Sequence, residues 1–349
     1  MGPKDDWQIV IESDLIDSST DLSTLNFDQE WKREIIDFLK EWFDSGKHVE
    51  LTSSGSTGRP KMLNFSKDRM KSSALRTNEF FGLQAGDKAL LCLPARYVGA
   101  KMMLVRSIIA GLQLKAIAPS SDPLQSLSEN FDFVAMTPMQ VSRSLEKGPN
   151  DFLIKNLIIG GAPLEQNLRA RLHELAVNAS ETYGMTETSS HVALRSADSD
   201  HFQALEGVSF SVDDSECLII HDEKLGIEQL QTNDRVKLLD DKSFIWLGRN
   251  DWVINSGGIK VQPEQVEKQI ASLLDLPFFI AAIPDDKLGQ AVALIYESDK
   301  DLNEDLIREI EARLSKYEKP RSYLRLSKVR YTSTDKIDRP TSLNLALNV

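Results

Sequence analysis

The 349-residue sequence predicts an α/β fold with a large N-terminal domain and a small α+β C-terminal domain. The length exceeds what one hydrophobic core usually supports, which favours two domains. Between residues 88 and 159, short apolar runs alternate with amphipathic segments, as in a parallel sheet covered by helices on both faces. From about Cys217, short strands are separated by Asp, Asn and Gly turns, which indicates a small antiparallel or barrel-like β subdomain that completes the large domain.

The elements of the large domain follow from these patterns in chain order. Buried apolar runs predict strands, and apolar residues at helical spacing predict helices. Thr137-Pro138 marks a helix start, because a threonine cap followed by proline suits the first turn. We expect strands at 88–93, 112–118, 131–136 and 156–159, helices at 101–109 and 139–146, and, in the β subdomain, strands at 217–220, 235–239 and 243–247.

Gly248-Arg249-Asn250-Asp251 interrupts the strand pattern and marks the expected domain boundary. This boundary divides the chain into residues 1–250 and 251–349. The second part, of about 100 residues, is long enough to form its own core. In it we expect a helix at 263–273, strands at 278–283 and 291–296, a helix at 305–314 and a strand at 323–326.

The composition restricts the class of protein. A formal net charge of -12 argues against non-specific nucleic-acid binding, which needs a basic surface, although a local basic loop can still hold a nucleotide. Cys92 and Cys217 lie in apolar runs and form no Cys/His cluster, so we expect buried structural thiols in a reducing compartment. The N-terminus has no signal-peptide pattern, and no apolar run is long enough to insert into a membrane. We therefore expect a cytoplasmic protein, whose oligomeric state the sequence leaves open.

A loop rich in hydroxyl groups and glycine runs from Leu51 to Lys61. Its glycines allow backbone N–H groups to turn towards an anion, its hydroxyls add donors, and its cations balance phosphate charge. The Walker pattern is absent, and the alternative is a flexible linker. The candidate phosphate-binding residues are Thr52, Ser53, Ser54, Gly55, Ser56, Thr57, Gly58 and Lys61.

The segment 182–188 is the next candidate site. Tyr183 followed by Gly184 offers a flat ring beside open backbone, which suits the stacking of a base. Glu187 offers a carboxylate for a hard cation such as Mg²⁺, which accompanies a nucleoside triphosphate. The alternative is an ordinary turn with an exposed glutamate.

Further candidates lie in the last third of the chain. Asp234 could accept hydrogen bonds from ribose hydroxyls, and Arg249 could reach the ribose or a phosphate, the alternatives being a turn and a surface arginine. Lys336, in a short polar loop, suits stabilising charge on a phosphoryl group, unless it is a solvated tail lysine. Ser256, Gly257, Gly258 and Lys260 form a glycine turn that leads into a helix.

The order and spacing of these motifs resemble the adenylate-forming superfamily of acyl-CoA synthetases, peptide-synthetase adenylation domains and luciferases. The resemblance runs from about Thr52 to Arg339 and includes a Gly-Gly-Ala-Pro segment after the strand at 156–159. It implies the fold of those enzymes and an acid–thiol ligase activity. In those enzymes a carboxylate attacks the α-phosphate of ATP, pyrophosphate leaves, and the acyl group of the acyl-adenylate passes to coenzyme A. ATP, Mg²⁺, coenzyme A and a small carboxylic acid are the implied partners.

The resemblance also implies roles for individual residues. Those of the loop from Ser53 to Lys61 would hold the β- and γ-phosphates, and Lys336 would bridge the acid and the α-phosphate. Asp251 would be the hinge about which a mobile domain, residues 251–349, rotates. That rotation would bring Ser256 to Lys260 to the site for the thioester step. The other implied contacts are Gly160, Gly161, Ala162, Pro163 and Tyr183 with adenine, Thr186 with the α-phosphate, Glu187 with Mg²⁺, and Asp234 and Arg249 with the ribose.

Two departures from the family pattern stand out. Asp335 precedes Lys336 where the family has glycine, so a carboxylate adjoins the lysine. About 50 residues precede Thr52, fewer than in other members, so we expect an N-terminally truncated form of the fold.

The compact form and the run Tyr183-Gly-Met-Thr-Glu-Thr-x-Ser190-His191 look like the short o-succinylbenzoate–CoA ligases of menaquinone biosynthesis. Such a dicarboxylate needs a cation for the carboxylate that does not react. Lys101, Arg106 and His191 are the candidates, the alternatives being a solvated helix face and a strand cap. Another aryl or acyl acid–CoA ligase, or a module that binds ATP without turnover, remains an alternative function.

Overall fold

The computed structural model describes residues 7–53, 61–146, 154–175, 177–332 and 336–348, without the side chains of 51–53, 61–63 and 166. The chain divides into two compact units. The first comprises Met1–Ser209 and Asp222–Glu228, and the second comprises Phe210–His221 and Gln229–Val349. None of the helices in the described segments is long and apolar enough to cross a membrane.

The first unit is built around a mainly parallel sheet. Its strand order is β11-β10-β9-β8-β7-β5-β6-β1-β2, in which β1, β6, β5, β7, β8 and β9 run parallel and the outer pairs are antiparallel. A separate hairpin joins β3 and β4. The elements are β1 (Gln8–Ile11), β2 (Asp14–Asp17), α1 (Glu30–Phe43), β3 (His48–Ser53), β4 (Lys61–Ser66), α2 (Lys67–Phe81), β5 (Lys88–Leu91), α3 (Val98–Ala110), β6 (Gln113–Ala116), β7 (Phe131–Met136), α4 (Pro138–Leu145), β8 (Ile154–Ile159), α5 (Gln166–His173), β9 (Asn178–Gly184), β10 (His191–Ser196) and β11 (Phe202–Ala204).

Both faces of this sheet are buried, as the continuous apolar runs predict. In β5, Leu91 packs in the core formed with α1, α2 and α3, whereas its neighbour Leu90 packs in the core formed with α4 and α5. The start of α4 agrees with its sequence signal. Thr137 accepts the Gln140 N–H and the Gln140 side chain accepts the Thr137 N–H, which forms a capping box. The predicted α/β class is confirmed.

The second unit contains two groups of strands. Strands β12 to β15 are neighbours in order, and β14 pairs with β15 antiparallel. A five-stranded sheet has the order β17-β16-β19-β18, with β20 parallel to β19. The elements are β12 (Val208–Val212), β13 (Cys217–Asp222), β14 (Ile227–Asp240), β15 (Ser243–Arg249), β16 (Ile254–Ser256), β17 (Ile259–Val261), α6 (Pro263–Ile270), β18 (Phe278–Asp285), β19 (Gly289–Glu297), α7 (Glu304–Arg313), β20 (Ser322–Leu326) and α8 (Arg339–Leu347).

The division into units differs from the expected boundary at residue 250. Residues 210–221 and 229–249, which contain most of the β subdomain, belong to the same compact unit as the C-terminal part. They form most of strands β12 to β15, which lie side by side. The functional division into residues 1–250 and 251–349, with a hinge at Asp251, stays a prediction. Cys92 and Cys217 are both buried free thiols, as expected.

Candidate functional site

The expected phosphate-binding segment includes the end of strand β3 and the start of strand β4. Strand pairing continues to Ser53, which lies opposite Lys61. Thr52 also lies in the paired part. Ser54, Gly55, Ser56, Thr57 and Gly58 lie outside the described residues.

Lys101 is positioned near the base of the β3–β4 hairpin. Its Nζ donates to the Glu50 carbonyl oxygen at 2.8 Å and lies 5.4 Å from the centre of the Phe38 ring. Burial lowers the pKa of Lys101, which the carboxylates of Glu41, Glu34 and Glu50 oppose. Lys101 therefore supports strand β3, apart from the other two residues expected at the acid.

The Gly160–Pro163 segment directly follows β8, at the carboxyl end of the parallel sheet. Ligands commonly bind at this edge of α/β sheets. The Gly160 N–H donates to the Met136 carbonyl at 3.1 Å, and the carbonyl of Ile159 accepts the Thr182 hydroxyl at 3.2 Å. The segment is thus fixed to strands on both sides, one of which leads to Tyr183.

Tyr183 and Gly184 end strand β9. The half-buried Tyr183 ring lies 5.6 Å from the Phe202 ring, centre to centre. Gly184 faces the incoming strand β10 so closely that a Cβ atom would lie 2.4 Å from the Ser190 carbonyl oxygen. Only glycine fits this crossing without a backbone shift.

Thr186 and Glu187 lie on a single 3₁₀ turn, Thr186–Thr188. Thr188 stabilises the turn, since its hydroxyl accepts the Met185 N–H at 3.0 Å and donates to the Ser190 carbonyl at 2.6 Å. Glu187 is exposed. In the described segments, no group of three or more acidic, His or Cys side chains could hold a metal alone. A single carboxylate such as that of Glu187 is enough for a Mg²⁺ ion whose other ligands are phosphate oxygens and water.

Arg106 is the most unusual charged residue of the first unit. It is 1% exposed on helix α3, and its Nη2 donates to the Ser190 hydroxyl at 2.6 Å. Within the described part of the chain, no carboxylate pairs with it and its Nε has no hydrogen-bond acceptor. Burial lowers the pKa of Arg106 to about 9, so it is still a cation at neutral pH.

His191 continues a directed hydrogen-bond chain from Arg106. Thr77 donates its hydroxyl proton to the Ser73 carbonyl at 3.1 Å, so its oxygen accepts from His191 Nε2 at 3.2 Å. This assigns the proton to Nε2 and leaves Nδ1 to accept the Ser190 hydroxyl at 3.3 Å. The Ser190 oxygen remains the acceptor for Arg106. Burial and the positive charges of Arg106 and Arg76 hold the pKa of His191 well below its usual value, so the imidazole is neutral.

Arg76 has its own partner. Its guanidinium lies 2.8 Å from the fully buried Asp222 carboxylate, which also caps a turn through the Leu225 N–H. The two buried arginines differ, because Arg76 of helix α2 is paired with a carboxylate, whereas Arg106 of helix α3 has no carboxylate partner among the described residues. Arg106 and His191, but not Lys101, form the candidate acid-binding cluster.

In the second unit, Asp234 and Arg249 are opposite each other on β14 and β15. Asp234 accepts the Trp246 indole N–H at 3.2 Å, and Arg249 Nη1 lies 3.8 Å from Asp234 Oδ1. The same guanidinium lies 2.8 Å from Asp251. The two expected ribose residues and the expected hinge are therefore one charged cluster.

Lys336 interacts electrostatically with this cluster. The residue is exposed, yet the pKa of Lys336 is lowered, chiefly because nearby protein desolvates its ammonium. Asp234 opposes the shift and Arg249 adds to it. Its backbone N–H donates to the Thr332 hydroxyl at 3.2 Å. Asp335 lies outside the described residues, so its effect stays a prediction.

Ser256, Gly257, Gly258 and Lys260 lie on the β16–β17 hairpin. Ser256 pairs with Ile259, so Gly257 and Gly258 form a two-residue turn, with φ values of 61° and 87°. Two positive φ values in succession are typical of the tight hairpin turn that favours glycine. Lys260 is exposed beside the turn. The segment precedes helix α6 as expected, but as a hairpin and not as a simple loop.

Sequence reasoning did not identify Ser190 or Thr77 as site residues. Ser190 could have been predicted from the sequence, because it adjoins His191 and a serine hydroxyl can form a hydrogen bond with an imidazole nitrogen. Thr77 contacts His191 from 114 residues away, a pairing that only the tertiary fold reveals.

Comparisons with known proteins identify the family of this chain. A family model described as "AMP-binding enzyme" matches residues 49–230. A solved acyl-CoA synthetase (AMP-forming)/AMP-acid ligase II-like protein from Dyadobacter fermentans is 34% identical, with a TM-score of 0.61, and the match covers 93% of this chain and 97% of that one.

Relatives at lower identity carry a more specific name. A 2-succinylbenzoate–CoA ligase of Bacillus cereus is 26% identical, over 83% of this chain and 68% of that protein. An o-succinylbenzoate–CoA synthetase of Bacillus subtilis, solved with ATP and a magnesium ion, is 20% identical with a TM-score of 0.75, over 84% of this chain and 69% of that one. The latter likeness concerns the fold alone.

Proposed function

The chain belongs to the AMP-binding enzyme family and is an AMP-forming acid–CoA ligase, and we propose that the acid it activates is o-succinylbenzoate. The names of relatives at 26% and 23% identity support this acid. The observation that carries the proposal is the buried Arg106 guanidinium, to which no described carboxylate is paired.

A buried cation without a counter-ion is costly, because the protein interior solvates charge poorly. The Arg76–Asp222 pair avoids this cost internally. Arg106 has no such partner among the described residues, and its Nε donor is unused. A substrate with a second carboxylate would supply both the missing charge and the missing acceptor. A dicarboxylate such as o-succinylbenzoate has one carboxylate to react and one to bind here.

The hydrogen-bond chain would hold the arginine ready for this contact. Ser190 occupies one Nη group of Arg106, and neutral His191 fixes the orientation of the Ser190 hydroxyl. Because His191 is neutral, the charge of the Arg106–Ser190–His191 cluster is that of Arg106, which would attract the carboxylate of the acid. The remaining guanidinium donors would then bind the carboxylate that does not react.

The roles of the nucleotide-binding residues follow from the family motifs. The β3–β4 loop would hold the β- and γ-phosphates, and Gly160–Pro163 and Tyr183 would flank the adenine. Asp234 and Arg249 would hold the ribose. Glu187 would hold Mg²⁺, which would neutralise phosphate charge during the transfer.

The reaction would proceed in two steps. A carboxylate oxygen of the acid attacks the α-phosphorus, the bond to the β-phosphate oxygen breaks, and pyrophosphate leaves. Thr186 and the Lys336 ammonium would stabilise the charge on the α-phosphate. The thiol of coenzyme A then attacks the acyl carbonyl and AMP leaves. Rotation about Asp251 would exchange Lys336 for the Ser256–Lys260 hairpin between the steps.

The test is pyrophosphate release with ATP and Mg²⁺ over a panel of acids, followed by thioester formation with coenzyme A. The panel contains o-succinylbenzoate and two matched analogues, 4-oxo-4-phenylbutanoate, which lacks the ring carboxylate, and 2-butyrylbenzoate, which lacks the chain carboxylate. We expect o-succinylbenzoate to be the preferred acid, and whichever analogue is activated identifies the reacting carboxylate. Preference for a monocarboxylate would contradict the proposal and favour another acid–CoA ligase. ATP binding without activation of any acid would indicate a module without turnover.

A further inference from the structure

Two consecutive residues of strand β9 hold the two ends of the 160–163 turn. At the first end, the Thr182 hydroxyl donates to the Ile159 carbonyl at 3.2 Å. At the other end, Glu181 Oε1 accepts the Leu164 N–H at 3.3 Å. Successive side chains of a strand point to opposite faces, so the turn is clasped from both faces of the sheet. Its position is set by β9.

Glu181 is itself fixed by two arginines. Its Oε2 lies 2.5 Å from Arg169 Nη2 and 2.7 Å from Arg195 Nη2, and Glu181 is 5% exposed. Arg169 also donates from Nε to the Leu164 carbonyl at 3.4 Å, so both backbone groups of Leu164 are held by this cluster. A buried, hydrogen-bonded carboxylate of this kind has little freedom to move.

The same cluster supports Tyr183. The Arg195 guanidinium lies 4.3 Å from the centre of the Phe202 ring, and the Phe202 ring packs against the Tyr183 ring at 5.6 Å. A cation over an aromatic face stabilises the position of the ring. Glu181 therefore connects the 160–163 turn, through Leu164, with the Tyr183 ring, through Arg195 and Phe202.

We infer that Glu181 is a positioning residue for the nucleotide base, with Thr182 as its partner at the other end of the turn. Together they set the position of the 160–163 turn relative to the Tyr183 ring, between which the adenine would lie. The inference rests on the proposed role of these two segments at adenine. Neither Glu181 nor Thr182 touches the base, and both act through the backbone and ring that they hold.

The test combines two variants with one matched control. Glu181→Gln weakens the clasp at Leu164, and Thr182→Val removes the hydrogen bond to Ile159 at nearly constant volume. Thr182→Ser keeps the hydroxyl and is the control. For each variant, calorimetry measures AMP binding without acid, and steady-state kinetics measure kcat and the KM of ATP, acid and coenzyme A.

We expect Glu181→Gln and Thr182→Val to raise the AMP dissociation constant and the KM for ATP about three- to tenfold, the range that a lost hydrogen bond represents. The kcat and the KM of the acid should stay within about twofold, and Thr182→Ser should resemble the parent. If Glu181→Gln fails to fold, the result for Thr182→Val still tests the inference. Unchanged AMP binding, or an equal loss for every substrate, would overturn the inference. Failure of the parent chain to bind AMP would instead overturn the nucleotide site on which it rests.

Discussion

Arg249 Nη2 lies 2.8 Å from Asp251 Oδ2, so the arginine expected at the ribose forms an ion pair with the aspartate expected at the hinge. The same guanidinium lies 3.8 Å from Asp234 Oδ1. One cation is thus shared by two carboxylates. We predict that a nucleotide bound by Arg249 competes with Asp251 for the guanidinium, which would couple nucleotide binding to the predicted hinge.

Asp251→Asn should therefore tighten AMP binding about two- to fivefold, because a partly exposed ion pair contributes up to about 1 kcal/mol. Titration calorimetry measures the effect. Asp214→Asn, which removes the same charge from an exposed turn residue, should leave AMP binding as in the parent. Weaker AMP binding in Asp251→Asn would show that Asp251 positions Arg249 for the nucleotide and does not compete for it.

Lys336→Ala should reduce acid adenylation by about 100-fold or more, because the ammonium would be lost from the phosphoryl transfer. Thioester formation from a supplied acyl-adenylate should persist. Because the pKa of Lys336 is lowered, adenylation should decline with rising pH before the usual lysine value of about 10.5 is reached. Lys336→Arg, which stays charged, should move this decline to higher pH. Survival of both half-reactions in Lys336→Ala would remove the assigned role.

The neutral His191 predicts a pH dependence of stability. The unfolded chain takes up this proton near pH 6.5, whereas the native state resists it because the pKa of His191 is lowered. The free energy of unfolding should therefore fall as pH drops below about 6.5, by up to about 1.4 kcal/mol per pH unit. Denaturant unfolding at pH 7 and pH 5 measures this fall in the free energy of unfolding. The fall should be smaller in His191→Gln than in the parent, and it should equal that of the parent in His48→Gln, which changes an exposed histidine. An equal fall in both would contradict the buried neutral imidazole.

Gly184→Ala should destabilise the protein by about 1–3 kcal/mol, since the added Cβ would lie 2.4 Å from a backbone oxygen that cannot move freely. Gly99→Ala is the matched control. Its Cβ, within helix α3, would meet only Leu93 Cδ1 at 3.5 Å, and alanine is the better helix former. Chemical denaturation of both variants measures the difference. Equal stability would mean that β9 and β10 separate at little cost.

Much of the fold could be predicted because its signals are local. Strands β5, β7 and β8 are continuous apolar runs, and the Thr137 cap lies three residues from its partner Gln140. The elements that were not predicted include helices α1, α2 and α8 and the four-residue strands β1 and β2. The two strands carry too little periodicity to be recognised, and they become ordered through packing against distant residues.

The candidate site divides in the same way. Its motif residues are readable from short patterns, but their partners are not, since Arg106 meets Ser190 across 84 positions of sequence. The sequence spacing alone could have shown that Lys101 and Arg106 lie on different faces of their helix. Residues five apart on a helix point about 140° away from each other, so the two side chains could not both face the acid. The phosphate-binding role of residues 54–58, which lie outside the described residues, and the hinge at Asp251 stay predictions.

The most direct test of the account is the ratio of kcat/KM for o-succinylbenzoate to kcat/KM for whichever monocarboxylate analogue is activated. In the parent enzyme this ratio should be about 100 or more, as expected for a buried, hydrogen-bonded charge pair. In Arg106→Gln the ratio should approach 1, because kcat/KM for o-succinylbenzoate falls while kcat/KM for the monocarboxylate stays the same. In Lys101→Gln the ratio should stay as in the parent. A ratio that Arg106→Gln leaves unchanged would contradict the claim that Arg106 binds the second carboxylate.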